Sequence, residues 1–568
     1  MKPFKFAIII LGLLSAGSAF AGHPKVSDEL NGLDADASVD VIVQFRNAPN
    51  QVEHDKVRGK GGVLHRSLDV IKGAHYTVSA SALEDLANDP DVVFIHPDRK
   101  IAKSAFSGKL DYGWMGTLGA TGPTAKTSHD GKGIGVAVID SGIDGHADLT
   151  DASGNTRIVY SESFVPDDDD TGDAYGHGNH VAGIVAGNGA KSTGVSYTYR
   201  IRGIAPNVNL INLRVLDAKG SSTDSVVIAA IQRAINLQHR FNIRVINLSL
   251  GRPVTASYVN DPLCQAVQQA WASGIVVVVA AGNYGRDNSA NTHGYGTITA
   301  PGNSPFVITV GAMNTVGTLS RSDDKMTSYS SKGPTMFDHL VKPDLVAPGN
   351  QIGSLRQTGS WLDGNYPQNR VPVNIYSTNA STSAPDYFQL SGTSMAAPMV
   401  SGAAALLIQQ NDSITPDQVK ARLMKTASKA FPSYTISTDP TTGVSYTSQY
   451  DIFTVGAGYL DIAAALNNTD VATGNTLSPA AVYSPVTGTV SVATASNCVW
   501  GSNVVWGSNV VWGSNVFVGG TSVVWGSNVV WGSSAMQGFN VVWGSNVVWG
   551  SAMHTPVESN SISLAGDN

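Results

Sequence analysis

The sequence Gly-Thr-Ser-Met-Ala-Ala-Pro at residues 392–398, followed by an apolar run over 399–408, sets Ser394 at the predicted start of a helix. Small neighbours give this serine little steric cover. The first backbone N–H groups of a helix have no partner within it and attract negative charge. Ser394 can therefore attack a carbonyl carbon while its own N–H stabilises the oxyanion. The alternative is an ordinary helix cap, because such turns are common at helix starts.

Length and composition set limits on the rest of the chain. At 568 residues it is too long for one hydrophobic core, so we expect about two to four domains. Only 14% of residues are charged, 60 are glycine and the formal net charge is −7, which favours a loop-rich exported protein over a nucleic-acid binder. Cys264 and Cys498 form neither a disulfide framework nor a metal-binding spacing, and are either unrelated or paired with each other.

The N-terminus has the pattern of a signal peptide, predicted to span residues 1–21. Lys2 and Lys5 precede the apolar run 6–14, and Ala-Phe-Ala at 19–21 fits a small-x-small cleavage site. We expect cleavage there and export, which makes the protein secreted or extracellular, with the periplasm or cell surface as other destinations. The run is too short to span a membrane, and no later apolar stretch reaches about 18 residues, so we expect no transmembrane anchor.

Residues 22–105 are predicted to form a small α+β domain. Strands are expected at residues 41–45, 74–78 and 91–95, and a short helix at 82–87. Four histidines lack metal-ligand spacing and are expected to be ordinary polar positions, unless their protonation helps to release the domain: His54, His65, His75 and His96. The basic, polar segment 98–105 suits a processing linker.

Two further motifs carry groups that a nucleophilic serine requires. Residues 135–142 read as a buried parallel strand ending in Asp140, at the sheet edge where open α/β sheets bind ligands. The alternative is a turn-capping aspartate. A second motif, at 176–183, contains His177 and His180 without the intervening glutamate of a zinc-binding His-Glu-x-x-His. His177, flanked by glycines, is the candidate base, and His180 is expected to be a buried, hydrogen-bonded residue.

A fourth polar group follows the predicted strand 275–281. Asn283 either makes a turn or directs its amide N–H at a developing oxyanion, a donor whose loss lowers rates about 10²–10³-fold. Further strands are expected at 208–215 and 244–249, separated by a helix over 225–237. Such alternation predicts a parallel sheet covered by helices.

These groups occur in the order Asp140, His177, Asn283 and Ser394, and Asp before His before Ser is the order of subtilisin. The chain resembles the subtilisin family (subtilases) of serine endopeptidases. The matching motifs lie at 138–144, 176–183, 203–206, 280–283, 342–349, 392–398 and 456–459. The resemblance covers roughly residues 38–466, and the segments 284–286 and 297–303 look most like the bacterial AprX-like group. Asn179 departs from the pattern, because threonine is usual there.

The resemblance implies a fold and a role for each group. It implies a subtilisin-like α/β catalytic domain at 106–468, preceded by an inhibitory, ferredoxin-like propeptide domain at 22–105. Ser394 would be the nucleophile, His177 the general base and then acid, and Asp140 the residue that orients the imidazole. Asn283 and the Ser394 N–H would form the oxyanion hole. No cofactor is required for this chemistry.

The resemblance also implies that substrate binds as an added β-strand between two edges of the catalytic domain. Those edges are Gly220, Ser221 and Ser222, and Ser249, Leu250 and Gly251. Recognition through the backbone predicts broad cleavage of protein substrates, with the chain's own propeptide as an intramolecular inhibitor. No acidic cluster accompanies Ser249 or Thr299, so we expect a preference for apolar or aromatic residues before the scissile bond.

A structural calcium ion and an insertion near the nucleophile are further hypotheses. Asp148 lies where subtilases often supply a calcium ligand, although the Asn-rich loop that completes that site is not recognisable. The acidic segment 165–173 is either a Ca²⁺-binding loop or a solvated one. Residues 351–390, just before Ser394, are expected to form a surface loop or a lid over the leaving-group side.

The C-terminal tail, residues 469–568, contains repeats of Val-Val-Trp-Gly-Ser-Asn between residues 499 and 551. Regular strand and turn residues predict a small β-solenoid or stacked hairpins, and the alternative is a β-prone low-complexity segment. The tail could bind glycans or a cell surface, associate with itself, or be removed. A second hypothesis for the whole protein is therefore a self-processing surface protein whose repeats provide its main binding role.

Overall fold

The structure, a computed structural model, describes residues 23–30, 33–102, 129–289, 292–379, 384–484, 489–493, 511–512, 515–518, 522–523 and 566–567. The predicted signal peptide, the processing junction near residue 105, Cys498 and most of the repeats lie outside these residues. The chain divides into two compact units. The first contains the described residues up to Ser67 together with Lys72–Pro97, and the second contains 68–71 and the described residues from Asp98 onward.

The first unit is a four-stranded sheet with two helices. In chain order its elements are β1 (Ser38–Phe45), α1 (Gln51–Gly59), β2 (Val63–Leu68), β3 (Gly73–Ser79), α2 (Ala82–Ala87) and β4 (Val92–Pro97). The strand order is β2-β3-β1-β4, and β1 pairs antiparallel with both β3 and β4. The core between sheet and helices includes Val41, Val43, Tyr76, Leu86 and Ile95.

Helix α1 and strand β2 are absent from the sequence prediction. Within α1 only His54 and Val57 are buried, so the helix carries almost no apolar periodicity. It is defined by its first turn instead, where the Asn50 side chain accepts from Val52 N and the Glu53 side chain accepts from Asn50 N. This reciprocal capping satisfies two N–H groups that the helix itself leaves unpaired.

The second unit is built on a mostly parallel sheet, which confirms the predicted subtilisin-like α/β architecture. Its strands are β6 (Gly135–Asp140), β7 (Ile158–Ser163), β8 (Asn209–Arg214), β10 (Ile243–Leu248), β11 (Val276–Ala280), β12 (Ile308–Asn314), β13 (Lys325–Met326) and β14 (Leu345–Pro348). The order is β13-β12-β11-β10-β6-β8-β7, with β14 also pairing with β12, and β13 alone among them is antiparallel to its neighbour. Two short strands, β5 (Lys100–Ala102) and β9 (Ser221–Thr223), form a separate pair.

Helices of the second unit cover this sheet and position the site. They are α3 (Gly178–Ala186), α4 (Asp224–Phe241), α5 (Pro262–Ala272), α6 (Trp361–Asn365), α7 (Val373–Tyr376), α8 (Thr393–Gln410), α9 (Pro416–Thr426) and α10 (Ile462–Asn467). Helix α8 is almost entirely buried and packs against α3, β11 and β12. A Cβ on Gly402 would lie 2.5 Å from Ile204 Cβ, so only glycine permits this close packing.

The segment 351–390 is not simply a surface loop, and that expectation is wrong at both of its ends. Strand β15 (Ile352–Leu355) pairs antiparallel with β16 (Tyr387–Leu390), and all eight residues are buried. Each strand has only four residues, too few for a periodic signal in the sequence. The segment that carries Ser394 therefore follows a buried strand directly, through Ser391 and Gly392.

Beyond the central sheet, the second unit contains a hairpin, β17 (Tyr434–Thr438) with β18 (Ser445–Gln449), and the described parts of the tail. Val341 N donates to Pro479 O at 2.8 Å, which attaches the start of the tail to the segment before β14. The tail strands, all joined by antiparallel pairing, are β19 (Ala480–Ser484), β20 (Thr489–Ala493), β21 (Val511–Trp512), β22 (Asn515–Val518) and β23 (Ser522–Val523). Within the described ranges, no helix is long and apolar enough to cross a membrane.

Candidate active site

Asp140 and His177 meet where strand β6 ends and helix α3 begins. Asp140 Oδ1 lies 2.8 Å from His177 Nδ1, and both side chains are buried, with 0% and 1% exposed. Two glycines make this approach possible, since a Cβ on Gly178 would lie 2.0 Å from Gly142 O. A buried carboxylate at Nδ1 favours the tautomer that carries its proton there, which makes Nε2 the basic nitrogen.

Asp173 supports this pair, and sequence reasoning treated it only as part of an acidic loop. Its carboxylate accepts hydrogen bonds from Ser141 Oγ, Gly176 N and Asn179 N, each at 2.7 Å. It thereby joins the residue after Asp140 to the start of α3. Burial raises the pKa of Asp173 to about 7, against the lowering effect of these three donors. Its position four residues before His177 was the available signal, but only the fold shows that it points inward.

Ser394 lies in the first turn of α8, and its side chain is partly exposed. Its Oγ donates to Ser249 O at 3.0 Å, and Ser249 Oγ donates to Ser394 O at 2.9 Å. The candidate nucleophile thus sits against the first residue of one predicted substrate edge. Helix α8, which contains Ser394 in its first turn, also packs against helix α3, which begins directly after His177.

Asn283 lies beside the same turn. Its Oδ1 accepts from Thr393 N at 3.0 Å and from Thr393 Oγ1 at 3.1 Å. A Cβ on Gly392 would lie 3.1 Å from Asn283 Nδ2, and Gly392 has a φ of +143° that disfavours other residues. With its oxygen held by Thr393, the amide presents its N–H₂ next to the segment that carries Ser394.

The first predicted substrate edge, Gly220 to Ser222, is engaged by another part of the chain. Strand β9 pairs antiparallel with β5, with Ile101 opposite Ser222. The pairing continues past the strand, because Asp224 N donates to Arg99 O at 2.8 Å. This edge therefore pairs with an extended segment of the same chain, and its contact with substrate stays a prediction. On the second edge Leu250 is buried and Gly251 lies close to Thr299, and their contact with substrate stays a prediction.

The side chains of His180 and Asn179 form hydrogen bonds within the protein that support the fold around the site. His180 is fully buried, its Nε2 lies 3.0 Å from Ile352 O, and burial lowers its pKa to about 3, as expected for a neutral packing histidine. Asn179 accepts from Asp144 N at 2.7 Å through Oδ1. The departure from threonine at this position is thus accommodated by a hydrogen bond to the loop after Asp140.

Two of the predicted metal ligands accept hydrogen bonds from protein donors. The Asp148 carboxylate accepts from Lys191 N and Tyr387 Oη, both at 2.8 Å, and Asp168 pairs with Arg214 at 2.7 Å. Across the described ranges, one group of three or more His, Cys, Asp or Glu residues has its ligand atoms within 4.8 Å of one another: Asp40, His65 and His75 in the first unit. Three strands of the sheet bring these residues together, which their sequence spacing does not reveal.

Comparison with known proteins gives a family match for the part of the second unit that carries these residues. Residues 131–458 match the model of the subtilase family. The chain is 41% identical to serine protease AprX of Bacillus subtilis over 298 residues, covering 52% of this chain and 61% of that protein. It is 32% identical to subtilisin E of the same species over 375 residues, covering 66% and 80%. The crystal structure of fervidolysin from Fervidobacterium pennivorans, a keratinolytic enzyme related to subtilisin, matches with a TM-score of 0.57 at 22% identity, covering 80% of this chain and 64% of that one.

Proposed function

The chain belongs to the subtilase family, and we propose that it is a serine endopeptidase that cleaves peptide bonds in proteins through Asp140, His177 and Ser394. The observation that carries the proposal is the buried 2.8 Å contact between Asp140 Oδ1 and His177 Nδ1. A relative named as a serine protease supports it. The match spans less than two thirds of the length of AprX. The proposed activity therefore rests on the geometry of this site.

In the proposed reaction, Ser394 Oγ attacks the scissile carbonyl carbon while His177 Nε2 takes its proton. His177 then donates that proton to the leaving amine, and water hydrolyses the acyl-enzyme by the same route in reverse. Asp140 keeps the imidazole oriented and stabilises its protonated form. Asn283 and the Ser394 N–H stabilise the oxyanion, and the hold of Thr393 on Asn283 Oδ1 supports that role.

The proposed substrate is an extended polypeptide bound as an added strand along Ser221–Thr223. The support is that β9 already pairs with an extended segment of the chain, residues 100–102. Such pairing uses backbone groups, which every sequence offers, so we propose broad specificity. We propose that the enzyme prefers apolar or aromatic residues before the scissile bond. A peptide panel cleaved only after Lys or Arg would contradict this preference.

We further propose that the protein is exported and made as a zymogen, with residues 22–105 as its inhibitor. The docking of residues 99–102 along Ser221–Asp224 supports this, because a segment that occupies the substrate edge excludes other peptides. The triad chemistry needs no cofactor. Calcium is proposed only as a structural ion, and a lower melting temperature after chelation would support it.

The test compares the wild-type chain with Ser394→Ala and with Ser413→Ala, a control at an exposed serine in the turn after α8. We expect the wild type and the control to hydrolyse casein and to yield a new N-terminus near residue 105. Ser394→Ala should do neither while remaining folded, with activity lowered about 10⁶-fold. Equal casein hydrolysis by Ser394→Ala and the control would refute the proposal.

A further inference from the structure

The described C-terminal residues, Gly566 and Asp567, are buried in the second unit, next to segments that carry the candidate active site. Asp567 has no exposed side-chain surface. It is enclosed by polar residues that we call the C-terminal socket: Arg286, Asn314, Ser328, Asn350, Gln351 and Ser391. Each socket residue is itself more than nine-tenths buried. Polar groups enclosed in this way are stable only when they are paired.

The Asp567 carboxylate has directed partners on both oxygens. Arg286 Nη2 lies 2.9 Å from Oδ1, and Ser328 Oγ donates to the same oxygen at 2.7 Å. Ser328 N donates to Oδ2 at 2.5 Å. A cation, a hydroxyl and a backbone amide therefore converge on one side chain. Neutralising that side chain would leave the buried donors without a charged acceptor.

The backbone around Asp567 is held as closely as its side chain. Asp567 N donates to Asn350 Oδ1 at 2.8 Å, and Asp567 O accepts from Asn350 Nδ2 at 3.0 Å and Gln351 Nε2 at 3.2 Å. Gly566 has a φ of +58°, and a Cβ there would lie 2.3 Å from Asn350 Oδ1 and 2.7 Å from Ser391 Oγ. The socket thus selects glycine followed by aspartate.

The guanidinium of Arg286, whose charge Asp439 already balances, also faces the Gly-Asp segment. Arg286 is enclosed together with Asp439, with Nη1 and Oδ2 separated by 3.1 Å, while its Nε donates to Ser328 Oγ at 2.7 Å. The Nη2 group is directed at Asp567 and also donates to Gly566 O at 3.2 Å. Without residues 566 and 567, this nitrogen would lose both of these acceptors.

We propose that this socket is a peptide-binding site for a Gly-Asp segment, and that its ligand is the segment at residues 566–567 of the same chain. The tail would then be attached to the catalytic unit at both ends, near Pro479 and at Asp567, with the tryptophan repeats between them. The socket is built partly from Arg286, three residues after Asn283, and Ser391, three residues before Ser394. The proposal does not depend on the proposed peptidase activity.

The test uses the Ser394→Ala chain, which removes self-cleavage as a complication, lacking residues 566–568. A fluorescent peptide of residues 556–568 is titrated into it and binding is followed by anisotropy. We expect saturable binding, at least tenfold weaker binding for the Asp567→Asn peptide, and none for the Gly566→Ala peptide. A Glu558→Gln peptide loses the same charge outside the described residues and should bind like the wild type. Equal binding by the Asp567→Asn and Glu558→Gln peptides would overturn the proposal.

A second measurement keeps the test decisive if the shortened chain does not fold. Asp567→Asn and Glu558→Gln are introduced separately into the full-length Ser394→Ala chain, and the melting temperatures are compared. We expect Asp567→Asn to melt several degrees lower and Glu558→Gln to melt like the parent. Coincident melting curves for the two variants would overturn the proposal, because a filled socket must contribute to stability.

Discussion

Thr393 holds the side-chain oxygen of Asn283 with two hydrogen bonds, from its backbone N at 3.0 Å and its Oγ1 at 3.1 Å. The two residues are 110 positions apart in the chain. One residue thus places the amide of Asn283 next to the turn of Ser394. This arrangement separates the group that would touch the oxyanion from the group that orients it, and the two can be tested separately.

Replacing Asn283 by alanine should lower kcat about 10²–10³-fold with little change in KM, because an oxyanion donor acts mainly in the transition state. Thr393→Val removes one of the two bonds to Asn283 Oδ1 and should cause a smaller loss of kcat. Thr393→Ser keeps the hydroxyl and should restore most of it. Steady-state kinetics on one peptide substrate measure all three. A Thr393→Val enzyme with unchanged kcat would contradict the positioning role.

Replacing Asp140 by asparagine should lower kcat about 10⁴-fold, because an amide no longer favours the His177 tautomer with its proton on Nδ1. The side chain keeps its size, so the melting temperature should change little compared with the change in rate. Activity and thermal unfolding are measured on the same preparation. Activity within tenfold of the wild type would show that the 2.8 Å contact has no catalytic role.

Ser222→Pro tests the predicted substrate edge. The bond from Asp224 N to Arg99 O and the alternation of antiparallel pairs place the Ser222 N–H toward Ile101. Proline removes that donor, so KM for peptide substrates should rise about tenfold with kcat changed much less. Ser222→Ala is the matched control, because it retains the backbone N–H. Equal KM values for the two variants would place substrate elsewhere.

Asp173 should make stability depend on pH. Burial raises its pKa from 3.8 to about 7, so between these values the folded chain holds a proton that the unfolded chain releases. Its contribution to stability is complete below about pH 4 and is lost as the pH rises through 7, by up to about 1.4 kcal/mol per pH unit. The Ser394→Ala chain is compared with the same chain carrying Asp173→Asn. The advantage in melting temperature that Asp173 gives should therefore shrink from pH 4 to 7.

The control for this pH dependence is Asp169→Asn, an exposed position in the same acidic loop. Its melting temperature should follow the parent at every pH. If the difference between Asp173→Asn and the parent stays constant from pH 4 to 7, Asp173 is ionised throughout. Its three hydrogen-bond donors would then outweigh the effect of burial on its pKa.

Strands β6, β8, β10 and β11 of the central sheet were predictable because they are almost fully buried and read as apolar runs. The other four strands of the sheet were not predicted, and β7 alternates between half-buried and exposed residues. Strand β6 ends at Asp140, as its run of Val, Ala and Ile indicates. Helix α1 was missed because most of its surface is polar, so it shows almost no apolar periodicity. Strands β15 and β16 are buried but have only four residues each, too few for a periodic pattern.

The sequence by itself determined the subtilase-like motifs, because Asp140, His177, Asn283 and Ser394 each lie within a short, distinctive run of neighbours. Only the tertiary structure decided which groups support them. The carboxylate of Asp173 turns toward Ser141, the hydroxyl of Thr393 toward Asn283, and the C-terminal Asp567 toward Arg286, 281 residues away in the chain. Such pairs carry no local signal, because their free energy arises from burial and hydrogen bonding that exist only once distant segments have packed together.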